Sequence, residues 1–312
     1  MAETRWDDLR VFLAVARAEG LSGAGRALRL DPATVGRRVA RLEEALGRVL
    51  FLKSPQGYAL TEEGRGLLAH AERAEAAVSG ALEEARGSER GLTGTVRIGA
   101  PDGCATYVLP QVTAQIVAEN PGLEVQVVAL PRVFNLSKRE ADMAIAVSRP
   151  SAGRLTVQKL TDYHLHMAAH RDYLAAHPPL RSRDDLAGHR MAGYIADMIF
   201  DKELDYLADL GVERVPLASN SVTVQLHWLE RGAGLAVAHD FALPFHPGLV
   251  KVLEGEVSFT RAFYLIRHAD DRRVERLNRF AEALAGGLRR EVARLEALAR
   301  GGLTENPAGV TL

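Results

Sequence analysis

Apolar residues recur at helical spacing over the first sixty positions of the chain. The pattern predicts a helix over residues 6–19 and a short second helix capped by Ser22. After a tight connection, Asp31 is placed to cap a third helix whose first residue is Pro32. Two short helices joined in this way form a helix-turn-helix motif. The predicted buried stripe of the third helix is Val35, Val39, Leu42 and Leu46.

The opposite face of the third helix carries small side chains and arginines. Ala33, Arg37 and Ala40 point away from the apolar stripe, and Gly36 and Arg41 flank them. Small residues allow close approach to another surface, and guanidinium groups can then reach guanine edges or phosphates. This face is typical of a DNA-recognition helix, whereas an ordinary amphipathic helix usually mixes both charges there.

A basic hairpin is predicted directly after the third helix. Two short strands are expected over residues 49–52 and 58–60, with a turn over residues 53–57 between them. Lys53 in this turn would lie along the DNA backbone or minor groove, as a wing. The alternative interpretation is a pair of helices from an ordinary core with a surface loop behind it.

A long uninterrupted helix is predicted from the cap Thr61 to about residue 87. Its apolar positions alternate in spacings of four and three, a heptad seam made largely of alanine. Such a seam favours close packing against a second copy, which would hold two recognition helices at a fixed separation on a partly palindromic site. The alternative is a long helix that lies on its own globular domain. The seam consists of Leu67, Ala71, Ala74, Val78, Ala81 and Ala85.

Beyond a hinge-like stretch at residues 87–94, strand and helix patterns alternate, which indicates an α/β domain. We expect two α/β lobes with a cleft between them. The first lobe covers about residues 91–160 with 265–300, and the second about 161–264. The predicted strands are 96–100, 123–130, 142–147, 235–238 and 261–267, the predicted helices are 107–120, 221–231 and 274–300, and the stretch 155–169 leads into the second lobe.

Composition limits the location of the protein and the source of any DNA affinity. No apolar stretch approaches the 18 residues of a membrane span, the N-terminus lacks a signal-peptide pattern, and a single cysteine fits a reducing compartment. We therefore expect a cytoplasmic protein without a membrane partner. The net charge is only −1, so nucleic-acid contact requires a local basic patch. Residues 1–60 hold ten basic and seven acidic residues, and their net charge of +3 provides that patch.

Ligand sites in α/β folds lie at the carboxyl ends of strands, and polar residues of this chain cluster at such positions. One group follows the first strand of the large domain, and another stands at a predicted helix N-terminus, where backbone N–H groups favour an anion. The candidate effector-binding residues are Pro101, Asp102, Gly103, Thr106, Leu130, Val147, Tyr194, Ser219, Asn220 and Ser221.

Other chemistry is weakly indicated. His164, His166 and His170 suggest a metal site, but no carboxylate or cysteine stands at a supporting spacing, so separate surface or core histidines are preferred. Cys104 lacks a resolving thiol or an activating base for a redox role. No nucleotide-binding or hydrolase motif is found, and we expect no enzyme activity, metal or cofactor. A pure small-molecule binding protein is the stronger rival, but it leaves residues 1–60 unexplained.

The chain resembles LysR-type transcriptional regulators over nearly its whole length. The resemblance is carried by LSGAGRALRLDPATVGRRVARLEEALGRVLF followed by GYALTEEG, and by GTVRIGAP, YVLPQV, NLSKREADMAIAV and SNSVTVQLHWLERGAGLAVAHD. It implies a winged helix-turn-helix over residues 1–60, a dimerising linker helix over 61–90 and an effector domain of periplasmic-binding-protein type over 91–312. It also implies sequence-specific binding to double-stranded DNA, control by a small-molecule effector, dimers or tetramers, and RNA polymerase as a partner.

The resemblance also implies where bases are read, near the start of the recognition helix. This chain departs from the family there, because Pro32 and Gly36 stand where Gln and Ser are frequent. Neither can donate a side-chain hydrogen bond, so Arg37 is expected to carry more of the direct readout. The candidate DNA-binding residues are Ser22, Pro32, Ala33, Thr34, Gly36, Arg37, Arg38, Arg41 and Lys53.

A second departure lies in the effector domain. The family often has Ser or Thr at the position of Pro101, and here the hydroxyl is absent while Asp102 adds negative charge. This weakens the expectation of a carboxylate ligand and leaves an amine-bearing or a neutral ligand open.

Overall fold

A computed structural model of the protein describes residues 5–54, 57–85, 91–129, 141–150, 154–199, 201–212 and 214–301. Contacts divide the chain into two compact units. One comprises Met1–Glu89 with Arg273–Glu275, and the other comprises Arg90–Arg272 with Arg276–Leu312.

The first unit has the predicted order of three helices, a hairpin and a long helix. Its core is built around Phe12, Val39, Leu42 and Phe51, and the rings of Phe12 and Phe51 lie 5.3 Å apart. The elements are α1 (Trp6–Ala18), α2 (Leu21–Leu28), α3 (Pro32–Leu46), β1 (Phe51–Ser54), β2 (Gly57–Leu60) and α4 (Glu62–Ala85).

Two sequence predictions about these helices are wrong. Ser22 is not the cap of α2, because Gly20 takes the N-cap position and Ser22 lies exposed in the first turn. Leu46 does not belong to the buried stripe of α3, since it is 38% exposed in the last turn, directly before the helix ends at Gly47. The connection between α2 and α3 is tight as expected. A Cβ on Gly25 would lie 2.6 Å from the carbonyl oxygen of Leu30, so only glycine fits there.

The hairpin is tighter than predicted. Ser54 pairs with Gly57, so Lys53, Ser54 and Gly57 belong to the strands and not to the turn. Pro55 and Gln56 lie outside the described residues. The hairpin leads into α4 through Thr61, whose hydroxyl oxygen accepts a hydrogen bond from the backbone N–H of Gly64 at 2.9 Å, as expected for a cap.

The predicted seam of α4 is buried in its first part and exposed farther along the helix. Leu67 and Ala71 pack against the core of their own unit, and Ala71 is fully buried there, which matches the alternative interpretation for this part of the helix. Arg17 of α1 adds a bidentate ion pair to Glu75 with distances of 2.6 and 3.3 Å. Val78, by contrast, is 40% exposed. The side chains of Ala81 and Ala85 lie outside the described part of the structure.

The second unit is a mixed α/β fold. Its largest buried side chains include Tyr163, Phe241, Phe263 and Phe280. The strands are β3 (Thr93–Ala100), β4 (Gly122–Ala129), β5 (Met143–Ala146), β6 (Leu155–His170), β7 (Ala192–Gly193), β8 (Leu217–Ala218), β9 (Leu235–His239), β10 (Leu249–Val252) and β11 (Ser258–His268). The helices are α5 (Asp102–Tyr107), α6 (Leu109–Glu119), α7 (Arg171–Ala176), α8 (Val222–Glu230) and α9 (Glu275–Arg300).

The single helix predicted over residues 107–120 is wrong in its start. The structure has two helices, α5 and α6, that meet at Val108. Pro110 explains the break, because it lacks the N–H that would bond to the carbonyl of Thr106 in a continuous helix. The first of these helices, α5, begins directly after Pro101, which is its N-cap residue.

One sheet of seven strands organises this unit, in the order β10-β6-β11-β5-β3-β4 with β9 also paired to β6. Strand β3 is parallel to β4 and β5, as the alternation predicted, and the remaining pairs are antiparallel. The two longest strands, β6 and β11, run side by side and change register between Phe263 and Tyr264. The carboxyl-terminal half of β6 pairs with β9 and β10. Among the described residues, no helix is both long and apolar enough to cross a membrane.

Candidate nucleic-acid interface and ligand cavity

The start of α3 is fixed by its own cap. The carboxylate of Asp31 accepts a hydrogen bond from the backbone N–H of Ala33 at 2.8 Å, and Pro32 occupies the first helical position. Pro32, Ala33 and Arg37 are exposed, and the guanidinium of Arg37 donates to the hydroxyl of Thr34 at 3.1 Å. This first turn therefore offers a shallow surface with one cationic side chain held over it.

Gly36, which was predicted to allow close approach to DNA, also allows close packing within the protein. A Cβ at this position would lie 3.3 Å from Cδ1 of Leu21, so the small residue lets α3 pack closely against α2. Of the other candidate DNA-binding residues, Arg38 is half-buried, and Ser22 on α2 and Lys53 on β1 are exposed. All nine candidates belong to the first unit.

Arg41 differs from the other arginines of α3. Its guanidinium donates two hydrogen bonds to the carboxylate of Asp8 on α1, one of them 2.7 Å from Nε to Oδ2. Asp8 is almost fully buried, and its hydrogen bond raises the pKa of Arg41 above the usual value. Because an internal carboxylate offsets this charge, less of it is available to a phosphate than the sequence indicated.

A small cavity opens in the second unit around the start of α5. Its volume is about 20 Å³, room for about one water molecule. Six predicted effector-binding residues line it: Pro101, Asp102, Gly103, Val147, Tyr194 and Asn220. Of the others, Thr106, Ser219 and Ser221 are not part of the lining, and Leu130 lies outside the described residues. The remaining lining residues are Cys104, Tyr163, Leu204, Val222, Phe263 and His239.

Asp102 connects α5 to the N-terminus of α8. Its Oδ2 accepts hydrogen bonds from the hydroxyl of Ser221 at 2.8 Å and from the backbone N–H and hydroxyl of Thr223 at 3.2 and 3.4 Å. Ser221 caps α8 through the N–H of Val224, and Ser219 accepts from the N–H of Ser221. The anion that the sequence placed at this helix N-terminus is thus a carboxylate of the chain itself.

Two polar atoms of the cavity wall are buried without a partner. Nδ1 of His239 makes no hydrogen bond within the described ranges, and neither does the hydroxyl of Tyr163, although that hydroxyl lies near enough to Tyr206 to lower the pKa of that tyrosine. Burial lowers the pKa of His239 to about 4, which outweighs the carboxylates of Asp240 and Asp102, so the ring is neutral at pH 7. Burial also raises the pKa of Tyr163 and of Tyr194 well above the ordinary value. Both tyrosines are therefore neutral as well.

Tyr163 and His239 were not among the residues predicted from the sequence, for different reasons. His239 ends β9, and the rule that selected Val147 at the end of β5 would also have selected it. Tyr163 faces away from the histidines that drew attention to its strand, since side chains alternate along β6. Those histidines take separate partners: His164 pairs with Glu296 and His166 with Asp240, each at 2.8 Å.

Comparison of the sequence with protein families adds an independent observation. Residues 6–65 match the bacterial regulatory helix-turn-helix protein of the lysR family, and residues 89–289 match the LysR substrate binding domain. The second match alone covers more than half of the chain. This protein belongs to the LysR family. It is therefore a LysR-type transcriptional regulator with a DNA-binding helix-turn-helix and an effector-binding domain.

Relatives of this LysR-family protein are similar along most of its length. The HTH-type transcriptional regulator PtxR of Pseudomonas aeruginosa is 27% identical over 295 residues, which cover 92% of this chain and 94% of PtxR. A solved full-length OxyR variant from Pseudomonas aeruginosa has a TM-score of 0.70 at 19% identity and covers 92% of this chain and 98% of its own. The solved structure of CrgA from Neisseria meningitidis has a TM-score of 0.56 at 22% identity, and the match covers 90% of this chain and 98% of CrgA. At these identities the solved structures show the fold alone.

Proposed function

We propose that this regulator reads DNA bases with the first turns of α3 and holds the adjacent backbone with the β1–β2 hairpin. The observation that carries the proposal is the capped, exposed start of α3, where the guanidinium of Arg37 is bonded, among the described residues, only to the neutral hydroxyl of Thr34. A guanidinium in that position retains donors for a guanine edge in the major groove. Lys53, exposed on β1, contributes a charge to a phosphate and no base preference.

The regulator acts as a dimer or a tetramer of the full chain. Two copies place two α3 helices on one duplex, so the operator is partly palindromic. The exposed Val78 on α4 supports a contact between copies along the carboxyl-terminal part of that helix, beyond the segment that packs on its own core. The proposed domain limits are residues 1–60, 61–90 and 91–312, and RNA polymerase is the proposed partner of the bound regulator.

The effector binds in the cavity around Asp102, between the two proposed lobes of the large domain. Support comes from the meeting of α5, the N-terminus of α8 and the ends of β5 and β9 at this cavity. Ligands of α/β folds bind at such strand ends. Occupancy of the cavity changes the affinity of the regulator for its operator.

The test uses a duplex from the region upstream of the protein's own gene and a random duplex of equal length. We expect Arg37→Ala to lower affinity for the specific duplex by about ten- to a hundredfold and to lower affinity for the random duplex far less. Lys53→Ala should weaken both duplexes equally and reduce the slope of log affinity against log salt by about one.

Arg289→Ala is the matched control, because it removes an exposed arginine from α9 in the second unit. It should leave both affinities unchanged. Equal losses on the two duplexes for Arg37→Ala would contradict its role in base readout. A wild-type protein without salt-sensitive preference for any upstream duplex would contradict the whole proposal.

A further inference from the structure

The N-terminus of α8 already holds its anion. Backbone N–H groups at a helix N-terminus attract a carboxylate, and here Oδ2 of Asp102 accepts from the N–H of Thr223 and from two hydroxyls. A carboxylate on a ligand would have to displace Asp102 or lie beside it. The position that an anionic ligand would use in this cavity is therefore filled from within the chain.

The remaining charges of the cavity point the same way. Among the described residues that line the cavity, Asp102 is the only one that carries a charge at neutral pH, since His239, Cys104 and the tyrosines are neutral. The guanidinium of Arg261 lies near the rings of Tyr206 and Phe259, but it pairs with Glu203 at 2.7 Å. An anion entering the cavity would meet a carboxylate and no cationic side chain in the described part of the lining. A cation would meet an anion.

Three polar atoms of the lining are left for a ligand. Oδ1 of Asp102 makes no hydrogen bond to any described residue, while Oδ2 takes all three. Nδ1 of His239 is buried and unpaired, and so is the hydroxyl of Tyr163, which lies beside the equally unpaired hydroxyl of Tyr206. An unpaired buried polar group costs free energy in the empty cavity. A ligand that supplies the missing hydrogen-bond partner removes this cost and therefore binds more tightly. Unpaired buried atoms are rare in folded proteins, and two in one small cavity indicate a polar occupant.

We propose that this cavity binds a compact molecule with a protonated amine and a hydroxyl or carbonyl group. The amine pairs with the free oxygen of Asp102, and the second group pairs with the hydroxyl of Tyr163 or the ring nitrogen of His239. The inference rests on the proposed effector site and names the class of its ligand. At about 20 Å³ the cavity holds about one water molecule, so side chains of the lining must move to admit even a ligand of a few heavy atoms.

The test compares molecules of equal shape and different charge on the full chain. Ethanolamine, ethylene glycol and glycolate form one series, and benzylamine, benzyl alcohol and benzoate form a larger one. By calorimetric titration at millimolar concentrations, we expect the amine to bind roughly tenfold or more tightly than the alcohol and the carboxylate in at least one series. A preference for a carboxylate, or no binding by either amine, would overturn the inference.

Two variants connect that preference to the proposed atoms. Asp102→Asn keeps the shape and removes the charge, so the amine should lose its advantage over the alcohol. Asp184→Asn, in an exposed 3-10 helix outside the cavity, should retain it. Tyr163→Phe should weaken binding of ethanolamine without lowering the Tm of the empty protein, because the lost hydroxyl had no partner. A lower Tm with unchanged amine affinity would show a purely structural hydroxyl.

Specific DNA binding, measured in parallel, separates the two proposals. Failure of the amine preference in a protein that still prefers its upstream duplex overturns the ligand class alone. Loss of that duplex preference in the wild-type protein overturns the proposed function, whatever the cavity binds.

Discussion

The guanidinium of Arg41 is tied to the buried carboxylate of Asp8, which links the outward face of α3 to α1. Arg37, one turn earlier on the same helix, donates instead to the neutral hydroxyl of Thr34. Two arginines that look equivalent in the sequence therefore have different surroundings. Arg41 stabilises the packing of α1 against α3, whereas Arg37 has no anionic partner among the described residues.

Arg41→Ala is predicted to lower the Tm of the protein by several degrees, because it leaves the Asp8 carboxylate buried without its cation. Arg37→Ala should change the Tm by no more than about 1 °C, as is usual for an exposed side chain. Adding Asp8→Asn to the Arg41→Ala variant should recover part of the loss, since the buried charge is then removed. Equal Tm values for the two arginine variants, measured by thermal unfolding, would contradict this division.

Two glycines of α4 are predicted to respond in opposite directions to alanine. A Cβ on Gly64 would lie 2.2 Å from the carbonyl oxygen of Leu50, so Gly64→Ala should destabilise the first unit by about 1–3 kcal/mol. Gly66 is exposed with nothing within 4 Å, and Gly66→Ala should stabilise it by roughly 0.5–1 kcal/mol.

Urea unfolding followed by tryptophan fluorescence measures both effects. The chain has two tryptophans, Trp6 in α1 and Trp228 in α8, so a Trp228→Phe background makes the signal report on the first unit. Stabilisation by Gly64→Ala would show that the contact of α4 with Leu50 is looser than described, and loss of stability with Gly66→Ala would contradict the open space found around Gly66.

The features that the sequence predicted correctly are those that depend on residues close together in the chain. Asp31 and Pro32 specify the start of α3 within three positions, and Thr61 does the same for α4. The same local reasoning failed where a distant partner decides the outcome. Asp8 lies 33 residues before Arg41, and no pattern within either helix predicts their pairing.

The cavity around Asp102, where we propose that the effector binds, shows the same limit. The rule that sites lie at strand ends found Pro101, Asp102 and Val147. The role of Asp102 as the anion of α8 depends on a contact across more than a hundred residues, to Ser221 and Thr223. Spacing along the chain contains no information about such a contact, and the sequence therefore left the charge of the ligand open.

Burial of His239 predicts a loss of stability in mild acid. An unfolded histidine takes up its proton near pH 6.5, whereas His239 in the folded protein does so only near pH 4. Between these values the unfolded state binds more protons, so the free energy of unfolding falls as the pH falls. The loss from this residue should reach about 3 kcal/mol at pH 4, and it should be absent above about pH 7.

Urea unfolding of the wild-type protein and of His239→Asn between pH 4 and 8 measures this contribution. The variant lacks the titrating group, so its stability should fall less steeply below pH 6.5, while the two proteins should show the same pH dependence between pH 7 and 8. Parallel curves over the whole range would mean that His239 is protonated as easily in the folded as in the unfolded chain.

The thiol of Cys104 is predicted to resist oxidation and alkylation. Its side chain is buried at the start of α5, and burial raises its pKa far above the usual value, so the reactive thiolate is scarce at neutral pH. It is also the only cysteine of the chain, which leaves no second thiol to form an intramolecular disulfide. Folded protein should therefore react with a disulfide reagent at least about a hundredfold more slowly than protein in denaturant.

Treatment with hydrogen peroxide tests whether oxidation of Cys104 affects DNA binding. Treatment with peroxide should leave the affinity for the upstream duplex unchanged, and Cys104→Ala should behave like the wild-type protein before and after treatment. Mass spectrometry of the treated, folded protein should find the Cys104 peptide unmodified. Rapid conversion of Cys104 to a sulfenic or sulfinic acid, together with a change in DNA affinity that the alanine variant lacks, would instead make this buried thiol a redox sensor.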